Sequence, residues 1–237
     1  MAVRQGSVGP QSQQGLSIVE LLVGIAVGLI VVAGASMLIA TQLADNRRLL
    51  VETQVQQDLR AAADIITHEL RRSGSTVATE SFVWSSVNTG ATTNPYASIN
   101  PDSGVSSGIA YNYTRTTAAT SPSGFRLSAG KLQTRLPGAV GWQDLTDSRT
   151  VTVTAFTVTV RGADEPTPAP PAPQRLPCPK LCSDGTMSCW PVLRVRELQI
   201  DIVGQAAADA AVQRSIRSVV RLRSDEVRSD PGGLCPA

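Results

Sequence analysis

From Leu21 to Ala40 the chain reads LLVGIAVGLIVVAGASMLIA, twenty residues without a charge or a proline. As a helix rising about 1.5 Å per residue, such a run spans roughly 30 Å, the thickness of a hydrocarbon core. Gly24, Gly28 and Gly34 are costly in a soluble helix and tolerated in a membrane helix. The run is therefore expected to cross a membrane, and nothing else in the 237 residues approaches its length. The mean hydropathy of +0.01 is then an average of an apolar span and a polar remainder. A formal charge of +2 announces no nucleic-acid or acidic partner. The 19 glycines and 15 prolines follow no period, which excludes a collagen-like chain.

What precedes the span defines its type. A secretory signal has a basic n-region, a shorter apolar stretch and a small-residue cleavage site after that stretch. Here the leader Met1–Gln14 carries one charge, Arg4, a Gly15-Leu16 junction comes before the apolar run, and a single acid, Glu20, stands at its edge. The stretch GLSIVELLVGIAVGLIVVAGA resembles the class III signal of type IV pilins and pseudopilins. The resemblance implies that prepilin peptidase cuts after Gly15 and methylates the new N-terminus at Leu16. It makes Glu20 the family's glutamate. A carboxylate is costly in hydrocarbon unless it meets a cation, and a neighbour's N-terminal ammonium would supply one in a filament of stacked helices. The plainer alternative is an interfacial acid hydrated by headgroups. Gly24 and Gly28 form a GxxxG pair, which is either a close-packing device or ordinary membrane-helix composition.

The apolar pattern continues beyond Ala44. Val51, Val55, Leu59, Ala62, Ile66 and Leu70 recur every three or four residues, and Leu49, Ala63 and Ile65 widen the stripe. No proline interrupts the chain between Gln11 and Pro95, and Ser73-Gly74 is a plausible stop. One helix from about Ser17 to Arg72 is expected, on the order of 80 Å long. The segment VQQDLRAAADIITHELRRSG is similar to the corresponding stretch of PilW-type minor pilins, through Arg60, Ala61, Ala62, Glu69, Leu70, Arg71 and Gly74.

After Gly74 the period changes. Ser75–Gly108 reads as a long polar loop with one short strand at Phe82–Val87. Strands follow at Ile109–Thr114, at Phe125–Ser128 and Lys131–Leu136 as a hairpin, and at Thr150–Arg161 with a phase slip near Ala155-Phe156. Val192–Val203 and Ser215–Arg223 alternate apolar with polar, which indicates an antiparallel sheet wet on one face. The helix stripe is the cover available for the dry face. The fold class is α+β, a long N-terminal α-helix with a membrane-spanning first half packed on an antiparallel β-sheet head. Residues 1–15 form the leader, 16–44 the membrane or filament-core helix, 45–74 its amphipathic half and 75–237 a periplasmic head. Within the head, 162–191 is a proline- and cysteine-rich excursion, too rich in proline for a central strand.

Cys178, Cys182, Cys189 and Cys235 all lie beyond the span, on the side that is oxidising, and an even count there favours two disulfides. Three pairings are open. The pilin resemblance implies that Cys235 reaches back to one of the other three. A Cys₄ zinc site is the rival, without the paired CxxC knuckles such sites use.

Enzyme signals are sparse. The one histidine, His68, sits on the amphipathic helix, and the GxSxG match at Gly104–Gly108 lies in a polar loop instead of a strand-to-helix turn. Arg194, Arg196, Arg214, Arg217, Arg221 and Arg223 suggest either a basic stripe or a solvated strand face. The resemblance implies a minor pilin that helps prime assembly of type IV pili and is incorporated into them, in twitching motility, adhesion or DNA uptake. No enzymatic activity, cofactor or small-molecule substrate is expected of it. The partners it implies are prepilin peptidase, other minor pilins, the major pilin, the inner-membrane assembly platform and a tip adhesin, with nucleic acid not expected. The location is the bacterial inner membrane with the head in the periplasm, then the pilus. The alternatives are a minor pseudopilin of type II secretion and an uncleaved single-span adhesin or sensor.

Overall fold

The computed structural model describes residues 15, 17–76, 94, 96–114, 122–161, 171–228 and 235–236. It divides into two units, Met1–Leu49 and Leu50–Ala237, and one helix, α1 (Ile18–Leu70), contributes to both. The expected helix was Ser17 to Arg72, so its ends differ by one and two residues. Within the first unit every described residue from Ser17 to Leu49 is exposed. Its hydroxyls are satisfied along the helix: Ser36 Oγ donates to the Val32 carbonyl at 2.8 Å and Thr41 Oγ1 to that of Leu38 at 2.9 Å.

In the second unit the stripe is buried. Val55, Leu59, Ala62, Ala63, Ile66 and Leu70 face the core. Leu49 and Ile65 were expected to widen the stripe and are exposed. Ile65 lies about 100° around the helix from Ile66, outside the arc that a sheet covers. The helix ends where anticipated: Ser73 N–H donates to the Leu70 carbonyl at 3.0 Å. Gly74 adopts φ +78°, a left-handed cap that favours glycine. Asn94 Nδ2 and the Asn112 carbonyl bind the Gly74 carbonyl and N–H at 2.7 and 2.8 Å, which pins the turn to the head.

Among the described residues, three antiparallel sheets stand where one was expected. The first runs β1 (Ile99–Asn100), β3 (Gly108–Tyr111), β4 (Ser123–Ser128), β5 (Lys131–Arg135), β6 (Gln143–Asp144). The second has the order β11 (Gln213–Arg221), β10 (Glu197–Ala206), β7 (Val151–Arg161), β2 (Gly104–Ser106). The third has β12 (Glu226–Arg228), β9 (Val192–Arg194), β8 (Gln174–Arg175). The β4–β5 hairpin turns at Ala129-Gly130 as the sequence indicates, and the Gly130 carbonyl accepts Val153 N–H at 2.8 Å, tying the first sheet to β7.

Three departures from the sequence reading have local causes, while the expected phase slip on β7 is present. The stretch read as a loop contains β1 and β2, whose short runs are stabilised by pairing with β3 and β7 and carry little signal of their own. The phase slip on β7 is a bulge at Thr154: Ala155 faces Val203 and Val153 faces Gly204, leaving Thr154 extra. Its hydroxyl donates to the Val203 carbonyl at 3.2 Å. Val192–Val203 is two strands, broken at Val195-Arg196, because Arg196 turns its side chain inward and its carbonyl accepts Leu222 N–H at 3.0 Å. The proline-rich excursion includes β8, an edge strand, the position proline-flanked residues tolerate. The strand expected at Phe82–Val87 lies outside the described residues.

The core joins the helix stripe to Val151, Val153, Phe156, Val158, Leu198, Ile200, Ile202, Val220 and Leu222 from the second sheet and to Ile109, Tyr111, Phe125 and Leu132 from the first. At Gly204 a Cβ would come within 3.0 Å of Leu59 Cδ2, so glycine there lets the helix approach the sheet. Tyr111 is fully buried, with ring centroids 6.0 and 5.9 Å from Tyr113 and Phe125. Its hydroxyl has no hydrogen-bond partner among the described residues. Burial first, and then the Glu69 carboxylate, push that hydroxyl's pKa well above its ordinary value.

Two substitutions test this packing in chemical denaturation of the detergent-solubilised chain. Leu59→Ala should lower stability by about 2–5 kcal/mol, the range for a truncated core leucine. Tyr111→Phe should cost nothing and gain up to about 1 kcal/mol, since it removes a buried, unsatisfied hydroxyl and keeps the ring.

Candidate functional site

Gly15 is exposed and lies outside the helix, which begins at Ile18. Ser17 has the N-cap role: its carbonyl accepts Leu21 N–H at 3.1 Å, the first helical bond. Glu20 stands in the first turn, three residues on, in the Ser-x-x-Glu spacing of a capping box. A carboxylate there faces the positive end of the helix dipole. The junction therefore places a non-helical, accessible glycine directly before a helix start, with an acid fixed one turn in. Leu16 lies outside the described residues. Gly24, Gly28 and Gly34 border open space. The apolar side chains beyond Glu20, from Leu21 to Ile39, are covered by no described residue. Lipid or other helices are the kind of surroundings that would bury such side chains.

The head carries the four cysteines in two disulfides. Cys178 joins Cys235, and Cys182 joins Cys189. The first fastens residue 235 to the excursion, the direction the resemblance implies. The second closes a short loop in which Asp184 Oδ1 accepts Thr186 N–H at 2.9 Å and Thr186 Oγ1 at 2.8 Å. These hydrogen bonds, with one from Ser188, hold the Asp184 carboxyl below its usual pKa. With every sulfur in a disulfide, the Cys₄ zinc alternative has no thiolate to offer.

Five of the six arginines of the last strands are engaged, and Arg223 is exposed. Arg214 pairs with Glu52 on α1, Arg217 with Asp201 at 2.5 Å, Arg221 with Asp225 at 3.4 Å, and Arg194 with Asp102 at 3.6 Å. Arg196 is 1% exposed and donates to the Ala97 and Ser224 carbonyls. The solvated face holds for Arg217, Arg221 and Arg223, which are exposed, while ion pairs and carbonyl contacts take up the arginines that a free basic stripe would need. Burial lowers the Arg196 pKa, an effect opposed by Glu226 and Asp102. Sequence reasoning placed this residue on a basic stripe or a solvated strand face and missed its inward orientation, of which an arginine in such a segment carries no mark.

Comparison with known protein families matches residues 48–222 to the family described as prepilin peptidase-dependent protein B. Residues 10–36 match the prokaryotic N-terminal methylation motif. The chain belongs to the prepilin peptidase-dependent protein B family. No curated protein and no solved structure matches it. This prepilin peptidase-dependent protein is pilin-like, and its methylation motif spans Gly15, Leu16 and Glu20. The apolar helix with that motif fits a membrane anchor carrying a periplasmic head, and association with a pilus or pseudopilus. The family match covers most of the head, including β1 to β11, where the sequence resemblance was only general.

The GxSxG residues of this prepilin peptidase-dependent protein form an edge strand. Gly104–Ser106 is β2, paired with β7, and Ser106 Oγ accepts Gly108 N–H at 3.3 Å. His68 projects from α1 into solvent and lies 4.0 Å from Glu69. No described contact brings the serine and the histidine together.

The two disulfides should differ in weight, because a longer closed loop restricts the unfolded chain more. Removing Cys178 and Cys235 together should cost about 4 kcal/mol, and removing Cys182 and Cys189 together about 2 kcal/mol. Urea melts of the two double-alanine variants against the parent measure the order.

Proposed function

We propose that this protein is a minor pilin of the PilW type, which helps prime assembly of type IV pili and is itself incorporated. The observation that carries this reading is the register of Gly15 and Glu20 with the start of α1, in a chain that matches both the methylation motif and the prepilin peptidase-dependent family. The protein waits in the inner membrane with its head in the periplasm. Prepilin peptidase cleaves after Gly15 and methylates Leu16. The apolar helix then leaves lipid for a bundle of like helices, and Glu20 neutralises a neighbour's N-terminal ammonium in a low-dielectric core.

The function is mechanical and involves no catalysis. The exposed apolar side chains of α1 give the driving force, since no described residue covers them and other helices or lipid would. Its partners are the other minor pilins, the major pilin, the assembly platform and a tip adhesin. In a type II secretion system the same helix would serve a pseudopilus. Twitching and secretion assays on a strain lacking the gene separate the two.

Mass spectrometry of the membrane-extracted protein should show a methylated N-terminus at Leu16. An intact Met1 would exclude both pilin readings. Gly15→Val should abolish cleavage. Glu20→Ala should be cleaved normally and fail to enter filaments, as read by immunoblotting sheared pili, and wild-type incorporation would sink the charge-pairing mechanism.

A further inference from the structure

The outer face of the first sheet carries a cluster that neither the fold nor the filament role uses. The loop between β5 and β6 runs Leu136-Pro137-Gly138-Ala139-Val140-Gly141-Trp142. Gly138 and Gly141 adopt φ +77° and +92°, and between them Val140 is fully exposed, with Leu136 exposed at the base. A bare valine at a loop tip gains nothing from its own chain. Trp142 folds back over β4 above Gly124, where a Cβ would lie 3.3 Å from its Cη2 atom.

Two arginines meet that ring. Arg126 Cζ lies 4.2 Å and Arg135 Cζ 5.1 Å from its centroid. Each guanidinium uses its Nε–H internally: Arg126 donates to Gln133 Oε1 at 3.0 Å and Arg135 to the Pro122 carbonyl at 2.9 Å. Among the described residues, neither forms an ion pair. The neighbouring acid is committed elsewhere, because Asp144 accepts from Lys131 at 2.7 Å and from Gln133 at 2.8 Å. The contrast with the second sheet is direct, where Arg214, Arg217 and Arg221 each have an acid.

We propose that Arg126, Arg135, Trp142 and the Val140 tip form a docking surface for an acidic segment of a partner protein, one that sets carboxylates beside an apolar residue. The chemistry selects this occupant. Stacking on an aromatic ring leaves the terminal N–H edge of a guanidinium free, and that edge matches a carboxylate fork. The ring's stacking capacity goes to the two cations, which disfavours a sugar or a nucleobase as ligand. The apolar tip asks for an apolar side chain, which a polyanion such as DNA does not present. Pre-organisation adds to the case: the ring orders both arginines before any partner arrives. The surface lies in the second unit and stands apart from the assembly role of the helix.

The test uses the full chain in neutral detergent and fluorescence anisotropy of a labelled peptide of alternating glutamate and leucine. The parent should bind it saturably, and the Arg126→Gln/Arg135→Gln double variant should bind at least about tenfold more weakly. Val140→Ser should weaken binding severalfold. Circular dichroism checks that the variants keep the fold, and intact-mass detection of the methylated Leu16 start reports the processing separately. Equal binding by the double variant overturns the proposal. So does equal binding of the glutamine–leucine peptide, or competition by a DNA duplex at lower concentration than the acidic peptide.

Discussion

The head depends on one contact, the burial of a narrow helical stripe against the dry face of the second sheet. Leu59 is the centre of that contact, opposite Gly204 and beside Val151. Each of these residues is needed for the other's position: the absent Cβ on β10 admits the leucine, and the leucine fills what would be a groove. Apolar burial of this kind is non-directional and large, so it organises everything with less driving force of its own. The polar devices come second. The Arg214–Glu52 pair and the Gly74 cap fasten the helix near either end of the buried stretch. They fix orientation more than they add stability, since partly exposed ion pairs contribute at most about 1 kcal/mol.

The same helix serves two environments by a change of pattern. Up to Leu49 its apolar residues surround the axis and no described residue covers them; from Val55 they fall on one face and are covered by the sheet. Nothing in the backbone marks the change, since α1 runs through it without a break. A family built on prepilin processing makes sense of this. The uniform half is interchangeable among lipid and other helices, while the striped half is bound to its own head. The disulfides act on a third region, the excursion, whose prolines and polar residues bury too little to order it.

Much of this was legible in the sequence. The span, the Gly15-Leu16 junction, Glu20, the stripe from Val55 to Leu70, the cap at Gly74 and the strands β4, β5, β7, β10 and β11 are periodic or punctuated strongly enough to read directly. The rest was not, for identifiable reasons. β1, β2 and β8 are two or three residues long and are defined by their pairing partners. Arg196 resembles any surface arginine until two carbonyls from distant segments meet it. The roles of Arg214 and Arg217 on β11 turned on acids at positions 52 and 201, which no local window connects.

The sequence by itself determined the membrane-type helix, the processing motif and the α+β class, because each rests on residues adjacent in the chain or on a period of two or 3.6. Tertiary structure alone decided the split into three sheets among the described residues, the choice among three disulfide pairings and the ion pairs that join distant segments of the head. It also decided that Arg126 and Arg135 share one tryptophan ring. Those outcomes depend on distances between segments far apart in sequence, and such distances are set only when the core closes.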